Sequence, residues 1–363
     1  MLNDLKEVRS DVPVSVVITA YNSARFVAEA IRTVQGQSVR PHEIIFVDDG
    51  SSDRTAEIAA GLGVTVLTQP NAGSAAARNT GTRAAKAPWI AYLDVDDLWA
   101  PEKLELQWMA LQAAPGAEFS FCEFAKFNEA GIIAPEALAG SAEYAGVVRR
   151  TVGPATVNAS RESLGRQLLI ADFILLSSLF VRRDVVFAIG GFDESLRRGE
   201  DYEFMLRLLA VADAVVVEQR SVFYRVHSGN KSASWHNALL AKNEIAERIA
   251  KQPHRYPAGA GAHFGSQRLA NINAAAKTLL RSQRYREARE TAFSGLNEAP
   301  SWRGAATILL SLALSLPPAT ALHSALRSVK RRMSPQLART PQRAAAELDL
   351  SRAWSCDTRT NGP

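Results

Sequence analysis

Apolar and polar residues alternate in two rhythms along the first two thirds of the chain. Val14-Ser15-Val16-Val17-Ile18-Thr19, after Pro13, is a β-branched run that predicts a buried strand. The polar break Ala20-Tyr21-Asn22-Ser23 follows, with Asn22 or Ser23 suited to cap a helix, and Phe26, Val27, Ala30, Ile31 and Val34 then recur at helical spacing. Glu43 to Val47 predicts a second strand, stopped by Asp48-Asp49-Gly50-Ser51-Ser52-Asp53 before a helix from Thr55 to Gly61. Val64 to Leu67 predicts a third strand, and Asn71-Ala72-Gly73-Ser74 caps an alanine-rich helix through Lys86. The run Trp89 to Leu93 predicts a fourth strand. It ends in Asp94, Asp96 and Asp97, and Pro101 opens the helix Glu102 to Ala113.

Strands alternating with helices at this spacing predict a mostly parallel α/β sheet with right-handed crossovers. Three strand ends in turn carry polar or acidic groups: Thr19 and Tyr21, Asp48 and Asp49, and the acids after Leu93. Open α/β sheets bind ligands in the crevice at that edge. A strand over Glu118 to Phe124 follows, then a stretch from Asn128 to Gly165 with no clean period, read as a mobile or substrate-facing excursion. Regularity returns with a strand over Ser178 to Val181, the turn Gly190-Gly191-Phe192-Asp193, and a helix from Glu200-Asp201 through Leu209. Strands over Ala214 to Val217 and Val222 to Val226 close the domain before His227. From Trp235 the pattern is helical, and 267–299 reads as one helix pair spaced like half of a tetratricopeptide repeat. The expected organisation is an N-terminal extension over 1–12, the α/β domain over 13–234, a helical region over 235–333 and a flexible tail over 334–363.

Composition changes this picture only at the margins. The 42 Lys and Arg against 37 Asp and Glu leave +5, gathered toward the C-terminal third at Arg327, Lys330, Arg331 and Arg332. With the apolar run 304–316 before it, this cluster fits either an anchor on an anionic inner leaflet or a buried helix followed by a solvated face. The run is too short to span a bilayer comfortably. The charged segment Met1 to Asp11 lacks the apolar core of a secretory signal, and Cys122 and Cys356 make no disulfide framework or metal-ligand spacing. Both fit a reducing cytosol. The basic tail lacks interleaved aromatics, which argues against nucleic-acid binding.

The acids after Leu93 carry the chemistry. Carboxylates this close repel one another unless a cation sits among them, and hard ions such as Mg²⁺ or Mn²⁺ favour carboxylate and phosphate oxygens. A solvated loop that caps the next helix is the plainer alternative. The motifs Val16 to Asn22, Val47 to Asp53, Asn71 to Ser74 with Ala77 to Gly81, Leu93 to Asp97, Gly190 to Asp193, and Gly199-Glu200-Asp201 occur in order. Together they resemble the inverting glycosyltransferase family 2, with the GT-A nucleotide-diphospho-sugar fold, over Pro13 to His227.

That resemblance implies a nucleotide-diphospho-sugar donor, a UDP-sugar first among them, and a saccharide or lipid-linked acceptor in polysaccharide or glycolipid assembly. It assigns Thr19, Tyr21, Asn22, Asp49, Arg78, Asp94 and Asp96 to the donor. Thr19 offers a hydroxyl and Tyr21 a stacking ring for the base; Asp49 accepts from a base N–H or a ribose hydroxyl. Arg78, in a helix whose N-terminus is Asn71 to Ser74, suits a diphosphate or ribose. Asp96, Asp97 and His227 are the expected holders of Mg²⁺ or Mn²⁺, although a lone histidine also serves structure. Asp201 is the expected base, with Glu200 in support; charge on a helix dipole is the plainer role. Trp99 and Phe192 suit either the sugar pocket or the core. A nucleotidyltransferase on a related fold, or a non-catalytic docking module, is the alternative.

Overall fold

The computed structural model describes residues 11–196, 198–230 and 235–281, with a few positions between 284 and 291. Its first half is the expected alternation: β1 (Asp11–Ala20), α1 (Ala24–Gln35), β2 (Arg40–Asp48), α2 (Thr55–Ala60), β3 (Thr65–Thr68), α3 (Ser74–Ala84) and β4 (Trp89–Asp94). β3, β2, β1 and β4 pair in parallel, in that order. Helices cover both faces of β1, so Val14, Val16, Val17 and Ile18 are all buried without alternation. Contact between α3 and the sheet is close enough to require glycine. A Cβ on Gly81 would stand 2.3 Å from Val17 Cγ1. Gly81→Ala should therefore cost about 1–3 kcal/mol, read from a denaturant midpoint.

The sheet continues through β10 (Phe180–Arg182), β6 (Phe119–Asn128) and β11 (Ala214–Arg225). β10 runs antiparallel to both β4 and β6, whereas β6 and β11 are parallel. The sheet is thus mixed, though mostly parallel. The two strands expected between Ala214 and Val226 are one strand, β11, whose register slips between Val217 and Val222. A two-residue strand β5 (Leu98–Trp99) and helix α4 (Lys103–Ala113) lie between β4 and β6.

The stretch from Asn128 to Gly165 is ordered, contrary to the excursion its composition suggests. It holds β7 (Gly131–Ala134), α5 (Ala142–Ala145), β8 (Arg149–Gly153), β9 (Thr156–Ala159) and the start of α6 (Arg161–Ile170). β9 pairs antiparallel with β11 and extends the sheet, with β8 at its edge. Buried Glu123 pins the crossing, because its carboxylate accepts from the backbone N–H groups of Phe124, Leu138 and Ala139 at 2.7 Å each. Elements of four or five residues held by one buried acid leave no period to read.

Helices α7 (Arg183–Ala188) and α8 (Glu200–Val211) complete the layers, followed by α9 (Trp235–Lys251) and α10 (Ala260–Arg281). The chain divides into two compact units, Met1–Arg268 and Leu269–Pro363. The first runs past the boundary expected at residue 234, because Ile245 and Ile249 of α9 and Phe264 of α10 are buried in the same core as the sheet. Of the second unit, the end of α10 and a few later positions are described. The apolar run 304–316, the basic cluster 327–332 and the tail 334–363 lie outside the described residues, as does most of the helix pair expected over 267–299. Among the described residues no helix is long and apolar enough to cross a membrane.

Candidate active site

The carboxyl ends of β1, β2 and β4 meet the N-terminus of α8, and their loops are laced together by side chains. After β1, Asn22 takes a left-handed φ of 48°. Its Oδ1 accepts from Ser52 N at 2.8 Å, and its own N–H donates to Ser51 Oγ at 2.8 Å. The helix α1 borrows its cap from the neighbouring loop, since Ala24 N donates to Asp53 Oδ2 at 3.1 Å and Ser23 makes no side-chain cap. Thr19 is buried at the strand end, while Tyr21, just past it, is 51% exposed. Asp49, 4% exposed, is committed to the loop before α3. Its Oδ1 accepts from Gln69 Nε2 at 2.8 Å and Ala72 N at 2.9 Å, and its Oδ2 from Gly73 N at 2.8 Å. Asp49 builds the crevice wall through these bonds.

Arg78 is where the structure departs furthest from the expected placement. Its guanidinium is buried and bridges two carboxylates, Nη2 to Asp94 Oδ1 at 2.8 Å and Nη1 to Glu200 Oε1 at 2.9 Å. It therefore ties the end of β4 to the start of α8 instead of reaching outward to a phosphate. Burial alone would lower its pKa, but Asp94, Glu200 and Asp201 hold it above its ordinary value, so the cation is permanent. Ser74 donates to the same Glu200 oxygen. Asn79, the next residue, pairs its amide with the backbone of Phe192, donating to O at 2.9 Å and accepting from N at 2.8 Å. This joins the Ala77 to Gly81 motif to the Gly190 to Asp193 turn. Gly191 must lack a Cβ there, since one would stand 2.6 Å from Asn79 Oδ1.

The acids after β4 separate into outward and inward groups. Asp94 and Asp96 are partly exposed, and no other residue among those described donates to Asp94 Oδ2 or Asp96 Oδ1. Burial and the neighbouring Asp94 push Asp96 above the usual carboxylate range. Asp97, expected to reach a cation, is 1% exposed and turned inward. Its Oδ2 accepts from Ser177 Oγ at 2.6 Å and its Oδ1 from Arg225 N at 3.0 Å. Burial, then Asp96 and Asp94, raise it well above the ordinary range. With both oxygens spent on the fold, Asp97 is an anchor.

His227 meets Asp96 Oδ2 through Nε2 at 3.0 Å. Its Nδ1 accepts from Gly229 N at 3.1 Å and faces Arg25 Nη2 at 3.2 Å. Arginine only donates, so Nδ1 is the acceptor and Nε2 carries the proton given to Asp96. Neither ring nitrogen offers a lone pair to a metal in this arrangement, against the expectation for His227. Ser177 and Arg225, which sequence patterns did not single out, complete the set. Ser177 also accepts from Asp94 N at 3.1 Å, and Arg225 Nε donates to the Asp96 carbonyl at 2.9 Å. Arg225 stands two residues before His227, the one sequence signal that could have found it. Trp99 and Phe192 are core: Trp99 gives its indole N–H to Ser177 O at 2.9 Å, and Phe192 stacks on Phe204 at 4.1 Å.

Asp201 sits in the first turn of α8, partly accessible, beside the bridged Glu200. Burial and the Glu200 charge push its carboxyl up to about 6, with Arg78 holding it from rising further. This suits a base near neutral pH. Among the described residues no three His, Cys, Asp or Glu side chains gather closely enough to hold a metal by themselves. Asp94 and Asp96 offer two hard oxygens, the share a protein contributes when substrate phosphates and water complete a Mg²⁺ or Mn²⁺ shell.

Two family models match successive parts of the chain, glycosyl transferase family 2 over residues 15–130 and glycosyltransferase like family 2 over 154–255. An uncharacterized glycosyltransferase of Haemophilus influenzae is 28% identical over 202 residues, 54% of this chain and 61% of that protein. One from Rickettsia conorii is 36% identical over 130 residues, 35% of this chain and 21% of its own length. The succinoglycan biosynthesis protein ExoO of Rhizobium meliloti is 30% identical over 224 residues, 60% of this chain and 62% of that protein. The chain thus spans less than two thirds of each of these three. Among solved structures, S. aureus TarS 1-349 matches with a TM-score of 0.57 at 16% identity, over 87% of both chains, and supports the same fold. With its mostly parallel sheet and the acids at the ends of β4 and α8, the chain belongs to glycosyltransferase family 2.

Proposed function

We propose that the chain transfers a sugar from a nucleotide-diphospho-sugar, a UDP-sugar first among candidates, to an acceptor hydroxyl with inversion at the anomeric carbon. The observation that carries this reading is Asp201, a partly accessible carboxylate at about 6, held across the crevice edge from Asp94 and Asp96 by the Arg78 bridge. The crystal structure of TarS in complex with UDP-GlcNAc, at 16% identity and a TM-score of 0.57, supports the donor class. The name of ExoO supports polysaccharide assembly as the setting. In the proposed step Asp201 takes the acceptor O–H proton, the freed oxygen bonds to the anomeric carbon, and the carbon–oxygen bond to the diphosphate breaks with its electron pair leaving on the nucleoside diphosphate. A divalent cation held by Asp94 and Asp96 would neutralise charge on that leaving group. Tyr21 and Thr19 would seat the base. Work on the cytoplasmic side, with a saccharide or lipid-linked acceptor, completes the proposal.

Release of nucleoside diphosphate from a panel of sugar donors, with and without Mn²⁺, tests it. Stimulated release from at least one donor supports the reading; none from any donor, with acceptor glycans present, removes it. The cation is tested separately. Asp96→Asn should weaken the Mn²⁺ dependence about tenfold or more, while Asp97→Asn should lower the melting temperature and leave the Mn²⁺ midpoint in place. The reverse order would restore Asp97 as the ligand.

The pH profile follows from Asp201. Below about 6 it is protonated and cannot accept, so kcat/KM should rise tenfold per pH unit up to that value and then level. Asp172, open to solvent on one side yet desolvated by surrounding protein and repelled by Asp201, is pushed up to about 8. The two carboxyls therefore release their protons as a coupled pair, in two steps. A profile flat from pH 4.5 to 6.5 would exclude Asp201 as the base.

A further inference from the structure

We propose that a second ligand site, for a phosphate-bearing small molecule, lies behind the catalytic carboxylates in a cavity of about 590 Å³ bounded by α3, α7, α8 and α9. Its volume is in the range of small-molecule sites. Five cationic side chains line it against three carboxylates. Each carboxylate already has a partner on the cavity wall. Glu203 forms a two-point pair with Arg207, both contacts 2.6 Å, and accepts from Tyr256 Oη at 2.7 Å. Asp193 holds Arg248 Nε at 2.6 Å, and Glu194 accepts from Asn79 at 2.8 Å.

The cations at the α9 side are left over. Among the described residues Arg255 donates only to neutral oxygens, Ile189 O at 2.6 Å and Gln252 Oε1 at 2.9 Å. Lys251 is exposed and has no carboxylate within ion-pair distance among the described residues. A guanidinium and an ammonium at one wall, without a counter-charge, match a phosphate group. Phe187, 45% exposed on the facing wall, offers apolar surface to the rest of the molecule. The floor is Asn79 and Phe192, and the Phe192 ring lies 5.5 Å from the Arg78 guanidinium. An occupant therefore sits one side chain from the bridge that holds Asp94 and Glu200. The site is separate from the crevice and does not depend on which donor the crevice takes.

Titration of the full chain with pyrophosphate by calorimetry, alongside Lys251→Gln/Arg255→Gln, tests the site, with hydrogen exchange locating the contact. The wild type should bind, protect the amides of 248–256, and lose affinity as salt rises. The double variant should bind at least about tenfold more weakly. Lys251 is exposed at the end of α9, so Lys251→Glu keeps the question open to measurement should the Arg255 change disturb folding, and it too should weaken binding several-fold. Equal binding by the variants, protection confined to 94–97 and 200–202, or no binding by the wild type would each overturn the proposal.

Discussion

Asp201→Asn should retain donor affinity within about twofold and lose about 10²–10⁴ in turnover, the usual contribution of a positioned base. Glu200 is buried, with its Oε1 taken by Arg78 at 2.9 Å and by Ser74. Asp94 is tied to the other arm of Arg78, and Asp97 is buried against Ser177 and Arg225. Asp201 alone among these acids combines partial accessibility with a carboxyl near 6, and it accepts the N–H of Tyr202 at 2.8 Å. Asparagine keeps the size and that acceptor while removing the basic oxygen. Unchanged turnover in the variant would transfer the role elsewhere.

Arg78→Met should be the most damaging single change to the fold around the site, at about 3–5 kcal/mol, because removing one member of a buried ion network leaves the others uncompensated. Glu200 and Asp94 would face Asp201 and Asp96 without the cation between them. Since Arg78 also lowers the Asp201 carboxyl, the acid limb of the pH profile should move above about 6 in any fraction that stays folded. Arg78→Lys keeps the charge but not the fork, so it should lie between the two in stability. Denaturant unfolding and a pH profile check both effects together. A variant as stable as wild type, with an unmoved profile, would mean the bridge is incidental.

The strand ends were legible in the sequence because a buried parallel strand is a continuous apolar run, and where it stops the next polar residues face the crevice. That logic sets Tyr21 just past β1 and Asp94 and Asp96 at the end of β4, where the structure has them. It fails for neighbours in one motif. Asp96 and Asp97 are adjacent acids, and only packing decides that one faces outward while the other binds Ser177 and Arg225. Arg78 is similar: its position on α3 is plain, but its inward turn depends on Glu200, 122 residues away. Ser177 acts from a one-turn 3-10 helix that carries no periodicity, and Trp99 and Phe192 look alike in sequence whether they line a pocket or fill a core. The hairpin of β8 and β9 escaped for the same reason, since its partners lie on β11.

The most direct measurement is the position of a nucleoside diphosphate, crystallised with the chain in the presence of Mn²⁺. Its base should lie against Tyr21 and its diphosphate beside Asp94 and Asp96, facing the first turn of α8. A nucleotide seated away from these residues, at saturating concentration, would contradict the proposed donor site.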